Sequence, residues 1–117
     1  MVVDDDLQTV EAFRMLLESE GAVVDVATDG ETALAQLTRQ PPDLLLSDIG
    51  MPDMDGHQLM RRLREQTGPT EMLSIALSGF GRPSDVQAAR AAGFDAHLTK
   101  PITLDNLISN LMRLRKG

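Results

Sequence analysis

The chain has 117 residues, the size of one domain with room for a hydrophobic core. Its net charge of −7 argues against a nucleic-acid-binding surface, and the absence of cysteine excludes disulfides, thiol catalysis and thiolate metal sites. No apolar run approaches the roughly 20 residues that span a bilayer, so we expect a cytoplasmic domain covering residues 1–117 and no membrane contact.

The first half of the chain alternates apolar runs with segments of helical spacing. Met1–Val3 runs into three acids, and Asp6 then caps a helix that ends at Gly21. Three apolar residues are few for a central strand, which points to a first strand truncated at its start. Ala22–Ala27 is rich in β-branched residues and predicts a strand, and Asp29 caps a second helix that a proline pair stops. Apolar spacing predicts that these two helices bury Val10, Phe13, Leu16, Leu17, Ala33, Leu34 and Leu37.

The second half continues the alternation. A strand at Met72–Leu77 precedes an Ala-rich helix that opens at Pro83 and closes at Gly93. A short strand at Ala96–Leu98 and a helix capped by Thr103 follow. A third helix precedes the strand at Met72–Leu77 and is predicted to bury Leu59, Met60 and Leu63. The fifth helix is predicted to bury Leu104, Leu107, Ile108, Leu111 and Leu114. The βαβαβαβαβα order predicts a parallel sheet with right-handed crossovers and helices on both faces.

The central strand is predicted at Leu44–Asp48. Its continuous apolar run is typical of a strand covered on both faces, as in a parallel sheet. The run ends on the carboxylate of Asp48 and then breaks into a loop rich in Pro, Asp and Gly. Because open α/β sheets bind ligands at the carboxyl ends of their strands, Asp48 is the strongest candidate for a chemical role.

Polar residues follow three other predicted strands in the same way. Asp4 and Asp5 follow the first, Ser78 the fourth and Lys100 the fifth, so parallel strands would bring all of them to one edge of the sheet. Three carboxylates close together repel one another unless a cation or proton uptake relieves them. Oxygen-only ligands suit a hard divalent ion, and we expect Mg²⁺; a lysine with a hydroxyl would complete a site for phosphoryl oxygens. Taken singly, each residue is as easily explained as a turn, a cap or a surface position.

Four pieces of the sequence resemble the receiver domain of two-component response regulators, the CheY-like phosphoacceptor domains. The pieces are Val2–Asp6, Asp48–Gly56, Ala76–Gly79 and Thr99–Pro101, and their order and spacing also fit. The resemblance covers essentially the whole chain. It implies a flavodoxin-like, doubly wound α/β fold with a five-stranded parallel sheet in the order 2-1-3-4-5.

The resemblance also implies a phosphorylation switch. Asp48 would accept a phosphoryl group from a histidine of a partner kinase or histidine phosphotransfer domain. Asp5 and Asp48 would bind Mg²⁺ directly, together with the backbone carbonyl of Gly50, and Asp4 would act mainly through a water. The domain would thus catalyse only its own phosphorylation and dephosphorylation.

Two further residues would contact the phosphoryl group. Lys100 would pair with its oxygens, with a cis peptide to Pro101, and Ser78 would swing toward it and pull its loop along. The family's switch position on the fifth strand is commonly Tyr or Phe, and here it is His97. An imidazole can rotate between inward and outward positions and titrates near neutrality, which leaves open a pH-sensitive switch or an ordinary half-exposed strand residue.

The signal is expected to reach the face formed by the fourth helix, the fifth strand and the fifth helix, where an output partner or a second copy would bind. Two alternatives stay open at this point. A receiver-like docking module that is never phosphorylated usually lacks an acid, the hydroxyl or the lysine, and all are present. A Mg²⁺-dependent aspartyl phosphohydrolase of the haloacid-dehalogenase type needs a second Asp two residues after the nucleophile, where this chain has Gly50.

Overall fold

Five strands and five helices alternate along the part of the chain that the structure describes. A computed structural model describes residues 1–68, 71–79 and 81–116, with residues 115 and 116 described for the backbone alone. The strands are β1 (Val2–Val3), β2 (Val26–Ala27), β3 (Leu44–Asp48), β4 (Leu73–Ser78) and β5 (Ala96–Thr99). The helices are α1 (Leu7–Ser19), α2 (Gly30–Arg39), α3 (Gly56–Thr67), α4 (Pro83–Ala92) and α5 (Leu104–Lys116).

The strands form one parallel sheet in the order β2-β1-β3-β4-β5, which confirms the predicted flavodoxin-like α/β fold. β3 lies at the centre and pairs along its whole length with β4, from Leu44 opposite Leu73 to Asp48 opposite Leu77. The sheet therefore brings the carboxyl ends of β1, β3, β4 and β5 to one edge, which carries Asp4, Asp5, Asp48, Ser78 and Lys100.

The second strand is shorter than the sequence predicted. Ala22–Asp25 lies outside β2, and the side chain of Val23 is 95% exposed. β2 pairs with β1, which offers just Val2 and Val3 as partners. Before the ladder begins, the carbonyl of Asp25 accepts the N–H of Val2 at 2.9 Å. A β-branched composition favours a strand only where a neighbouring strand is present to pair with it.

Two apolar clusters cover the faces of the sheet. One joins the sheet to α2, α3 and α4, and the other joins it to α1 and α5. Consecutive residues of β3 serve both clusters, since Leu45 belongs to the first and Leu46 to the second. This arrangement explains why the central run is apolar at consecutive positions rather than at alternate ones. No described helix is long and apolar enough to cross a membrane.

The helices begin and end largely where capping residues predict. The side chains of Asp6 and Asp29 accept backbone N–H bonds at the starts of α1 and α2, and that of Thr103 does so at the start of α5. Gly93 closes α4 in a left-handed conformation with φ of 116°. Asp55 caps α3 in a reciprocal capping box with Gln58, a signal that the sequence analysis passed over.

Two positions that were predicted to be buried are exposed instead, and four others are half-buried, namely Leu17, Leu104, Leu111 and Leu114. Leu16 on α1 is 40% exposed and Ile108 on α5 is 37% exposed. Each lies at the border of its helix's apolar stripe, whereas Phe13 and Leu107 point into the shared cluster with the sheet. Leu16 lines an open cleft of about 480 Å³ between α1 and the segment after β5.

Candidate functional site

Three carboxylates meet at the carboxyl edge of the sheet. Asp4 and Asp5 directly follow β1, and Asp48 is the last residue of the neighbouring β3. One oxygen from each lies within 4.8 Å of the others, which is close enough for a single ion to contact all three. Asp4 and Asp48 are buried, whereas Asp5 is exposed. The clustering predicted from strand ends is therefore present.

Lys100, directly after β5, supplies the positive charge of the cluster. Its Nζ atom lies 2.8 Å from Oδ2 of Asp4 and 3.4 Å from Oδ1 of Asp48. The other oxygen of Asp4 accepts the backbone N–H of Asp6 at 2.9 Å. Asp4 is thus satisfied by the protein itself, and Asp5 and Asp48 are the acids with oxygens to spare for a further ligand.

The charges at this edge do not balance. Burial, and then the nearby charge of Asp4, raise the pKa of Asp48, and they outweigh Lys100 and the N–H of Gly50, which act in the opposite direction. Burial lowers the pKa of Lys100, but its hydrogen bond to Asp4 and the charge of Asp48 raise it overall. One ammonium is therefore shared between two of the three acids. A hard divalent cation fits this oxygen-only, net negative donor set.

The loop after Asp48 folds tightly against its own strand. A Cβ atom added at Gly56 would lie 2.5 Å from the carbonyl oxygen of Asp48 and 2.8 Å from the Cα of Ile49. The loop also anchors itself in the core, since Met51 and Met54 are buried and Met54 packs on Gly30 of α2. The sequence analysis missed these anchors because apolar residues within a Pro-, Asp- and Gly-rich loop carry no periodicity. Together they fix the backbone that carries Asp48.

Ser78 ends β4 on the same edge but is engaged elsewhere. Its Oγ atom lies 2.7 Å from Nε2 of His97 and accepts the backbone N–H of Gly81 at 3.3 Å. The pairing of β4 with β5 confirms that these two residues lie on adjacent strands. The direct hydrogen bond between them was not predicted, because register alone does not fix two side-chain torsions.

The segments that follow β5 and β3 carry three further features of the site. The peptide between Lys100 and Pro101 is cis, as the resemblance implied. Gly50 is exposed, two residues after Asp48, and its backbone N–H acts to lower the pKa of that carboxylate. Asp53 adopts a positive φ of 66° in the same loop.

A family model described as "response regulator receiver domain" matches residues 1–112 of the chain. The chain belongs to this family. It is therefore a module of two-component signalling rather than an enzyme in its own right, and receiver domains pair with histidine kinases. The cluster of Asp4, Asp5 and Asp48 is the acidic triad typical of the receiver Mg²⁺ site.

Two individual proteins are similar to most of the chain. The chain is 46% identical over 102 residues to a 14.6 kDa protein encoded beside sodA1 in Leptolyngbya boryana, a match that covers 87% of this chain and 78% of that protein. It is 35% identical over 116 residues to the transcriptional regulatory protein TrcR of Mycobacterium tuberculosis, covering 97% of this chain but 44% of TrcR. The chain thus spans less than half the length of that regulator.

Solved structures show the same architecture. The chemotaxis protein CheY4 of Vibrio cholerae superposes with a TM-score of 0.88 at 28% identity, over 96% of this chain and 93% of that one. The receiver domain of the Francisella response regulator 1452 gives a TM-score of 0.85 at 30% identity, over 99% and 96% of the two chains.

Proposed function

We propose that this receiver domain is a phosphoacceptor in which Asp48 takes a phosphoryl group from a phosphohistidine of a kinase or phosphotransfer domain. The observation that carries the proposal is the convergence of Asp4, Asp5 and Asp48 around one point, with the Lys100 ammonium 2.8 Å and 3.4 Å from two of them. In the transfer the P–N bond to the donor imidazole breaks, a P–O bond to a carboxylate oxygen of Asp48 forms, and the released imidazole nitrogen keeps its electron pair.

The acids and the lysine have different roles in this proposal. Asp5 and Asp48, with the carbonyl of Gly50, would hold Mg²⁺, and Asp4 would reach it through a water. When bound, the ion neutralises charge on the phosphoryl oxygens and on the carboxylates. Lys100 then supplies a positive charge to a phosphoryl oxygen without having to travel far, because its Nζ is already 3.4 Å from Oδ1 of Asp48.

The cleft beside Lys100 offers the histidine-bearing partner a surface. It is lined by Ala12, Phe13 and Leu16 of α1 and by Pro101 and Ile102 after β5, and it opens next to the lysine. An apolar contact here would orient the partner's imidazole toward Asp48 without adding negative charge to an acidic site. The partner's histidine would then approach across the same edge of the sheet that carries the acids.

Phosphorylation of Asp48 is tested by incubating the protein with acetyl phosphate and Mg²⁺ and measuring intact mass. One phosphoryl mass should be added to the wild type and none to Asp48→Asn. Asp53→Asn is the matched control, because Asp53 is an exposed acid of the same loop whose positive φ suits Asn. Equal labelling of Asp48→Asn and wild type would refute the acceptor assignment. Sustained hydrolysis of a simple phosphomonoester, which lacks the activated phosphoryl group of acetyl phosphate, would instead favour a phosphohydrolase.

The output face is tested by amide hydrogen exchange with and without the phosphoryl mimic beryllofluoride. Protection should change in α4, β5 and α5 as well as in the loop after Asp48, because Ser78 and His97 link the site to β5. Asp48→Asn should show no change anywhere. Changes confined to the loop would leave the acceptor role standing and remove α4, β5 and α5 as the partner or self-association face.

A further inference from the structure

His97 and Ser78 form a partly buried hydrogen bond at the edge of the site. His97 lies on β5 opposite Ala76 of β4, and its Nε2 atom is 2.7 Å from Oγ of Ser78. Ser78 is 5% exposed, and the imidazole is half-buried. The pair occupies the position at which the proposed switch must respond to the phosphoryl group.

The neighbours of Ser78 decide which atom donates the proton. The backbone N–H of Gly81 donates to Oγ of Ser78 at 3.3 Å, so that oxygen already accepts one bond. The hydroxyl proton of a buried serine also needs an acceptor, and Nε2 of His97 is the ring nitrogen within reach. In the neutral imidazole we therefore assign Nε2 as the acceptor and Nδ1 as the protonated nitrogen.

Protonation of the ring reverses this bond. Both nitrogens of an imidazolium are donors, so Nε2 would donate to Oγ of Ser78 and the hydroxyl proton would be free for another acceptor. A phosphoryl oxygen on Asp48 is such an acceptor. Neutral His97, in contrast, competes with the phosphoryl group for the same proton, and Ser78 must break a partly buried hydrogen bond in order to move.

We propose that His97 is a positioning residue that holds the Ser78 hydroxyl away from the phosphoryl group when neutral and releases its proton to that group when protonated. The inference rests on the proposed phosphoacceptor function and adds a regulation of that site: acid should favour the phosphorylated, switched state. By reciprocity, phosphorylation should favour proton uptake by His97.

The groups around His97 set the pH range in which the His97–Ser78 switch would operate. Burial lowers the pKa of His97, Asp85 of α4 raises it and His57 of α3 lowers it again. Asp85 is itself paired with Arg82, at 3.5 Å, and β4 faces the ring with the uncharged Ser78. The net effect lowers the pKa of His97 below its usual value, which favours the neutral ring in the unphosphorylated protein.

The coupling is measured by NMR titration of the imidazoles with and without beryllofluoride and Mg²⁺. The chain has two histidines, so His57→Gln assigns the signals and serves as a matched control. Beryllofluoride should shift the pKa of His97 upward by roughly 0.7–2 units, the about 5–100-fold coupling typical of linked sites. In Ser78→Ala most of this shift should disappear, leaving only the through-space effect of the added charge.

A second readout is the affinity for beryllofluoride between pH 5 and 7.5. Because protonation of Asp48, whose pKa is raised, weakens binding at low pH, affinities are compared between variants. As the pH falls through the pKa of His97, the wild type and His57→Gln should gain affinity relative to His97→Gln, which accepts a hydrogen bond but does not titrate. An unshifted pKa in protein that does bind beryllofluoride, or an equal shift in Ser78→Ala, would overturn the inference alone. Failure of the wild type to bind beryllofluoride or to be phosphorylated would overturn the proposed function and this inference together.

Discussion

Lys100 and Asp4 are 96 positions apart in the chain, yet Nζ of Lys100 lies 2.8 Å from Oδ2 of Asp4. Asp4 is 1% exposed, so this contact neutralises a buried carboxylate. The same ammonium is the group that we propose for the phosphoryl oxygens. The lysine is therefore held at the site before any phosphoryl group arrives, and Asp4 competes with that group for it.

The first prediction concerns removal of this cation. Lys100→Met should lose roughly 1–3 kcal/mol of unfolding free energy without metal, because it leaves a buried acid unpaired beside a second one. Mg²⁺ should recover more stability in this variant than in the wild type, since the ion relieves the same repulsion. The unfolding free energy of Lys100→Arg should lie between those of Lys100→Met and the wild type, because a planar guanidinium fits the position of a compact ammonium poorly.

Thermal unfolding at pH 7 with and without Mg²⁺ measures these effects. Arg62→Met is the control, since Arg62 forms an exposed ion pair with Glu31 at 3.0 Å that should contribute at most about 1 kcal/mol. The idea is wrong if Lys100→Met is no less stable than Arg62→Met, or if Mg²⁺ stabilises it no more than the wild type.

The second prediction concerns Asp48 and pH. Burial and then Asp4 raise the pKa of Asp48, so the folded protein holds this proton more tightly than the unfolded chain does. The resulting stability is present below the ordinary pKa near 4 and is lost as the pH rises through the raised folded value. Asp48→Asn removes that loss and should be more stable than the wild type at pH 7 by about 0.5–2 kcal/mol without metal.

Urea unfolding in a chelator from pH 4 to 8 tests this sign. The advantage of Asp48→Asn over the wild type should grow with pH and then level off, and Mg²⁺ should stabilise the wild type far more than the variant. Asp53→Asn, in the same loop, should track the wild type. An advantage that does not change with pH would show that the raised pKa is not its cause.

The third prediction concerns the loop after Asp48. Gly56→Ala should cost about 1–3 kcal/mol and slow phosphorylation, because its Cβ would collide with the backbone of Asp48 and Ile49. Gly50→Ala is the matched control, since the nearest atom to its Cβ would be Oδ2 of Asp48 at 4.0 Å. Chemical unfolding and labelling by acetyl phosphate should separate the two variants. Equal stability of both would refute the proposed clash.

The fourth prediction concerns the Asp95 side chain, which accepts a backbone N–H of β4 in the way that a neighbouring strand would. Oδ2 of Asp95 accepts the backbone N–H of Ser74 at 2.9 Å, one residue before β5 begins. Asp95→Ala should therefore destabilise the protein by about 1–3 kcal/mol, because it leaves a buried donor unpaired.

Asp95→Asn keeps an acceptor in that place and should cost less than half as much. Urea unfolding of the two variants measures the difference, and phosphorylation should be unaffected because the bond lies at the opposite end of β4 from Ser78. Equal losses in the two variants would point to the charge of Asp95 rather than to its hydrogen bond.

The sequence determined the elements and the edge of the sheet that carries the chemistry. Hydrophobic periodicity, helix-capping residues and helix-breaking Gly and Pro located the strands and helices, because these signals act between residues that are close in the chain. Parallel order then required Asp48, Ser78 and Lys100 to emerge at one edge, whatever the details of packing. The shortened β2 was the failure of this reasoning, because a strand exists only as far as its partner extends.

Only the tertiary structure decided how the side chains at that edge are paired. Strand register places residues within a few ångströms of one another, but torsions and burial determine that Lys100 binds Asp4 and that Ser78 binds His97. The same is true of Met54, whose loop position carries no period and whose burial depends on the space above Gly30. Hydrogen bonds and close contacts depend on tenths of an ångström, and the chain sets these only when all its layers are packed together.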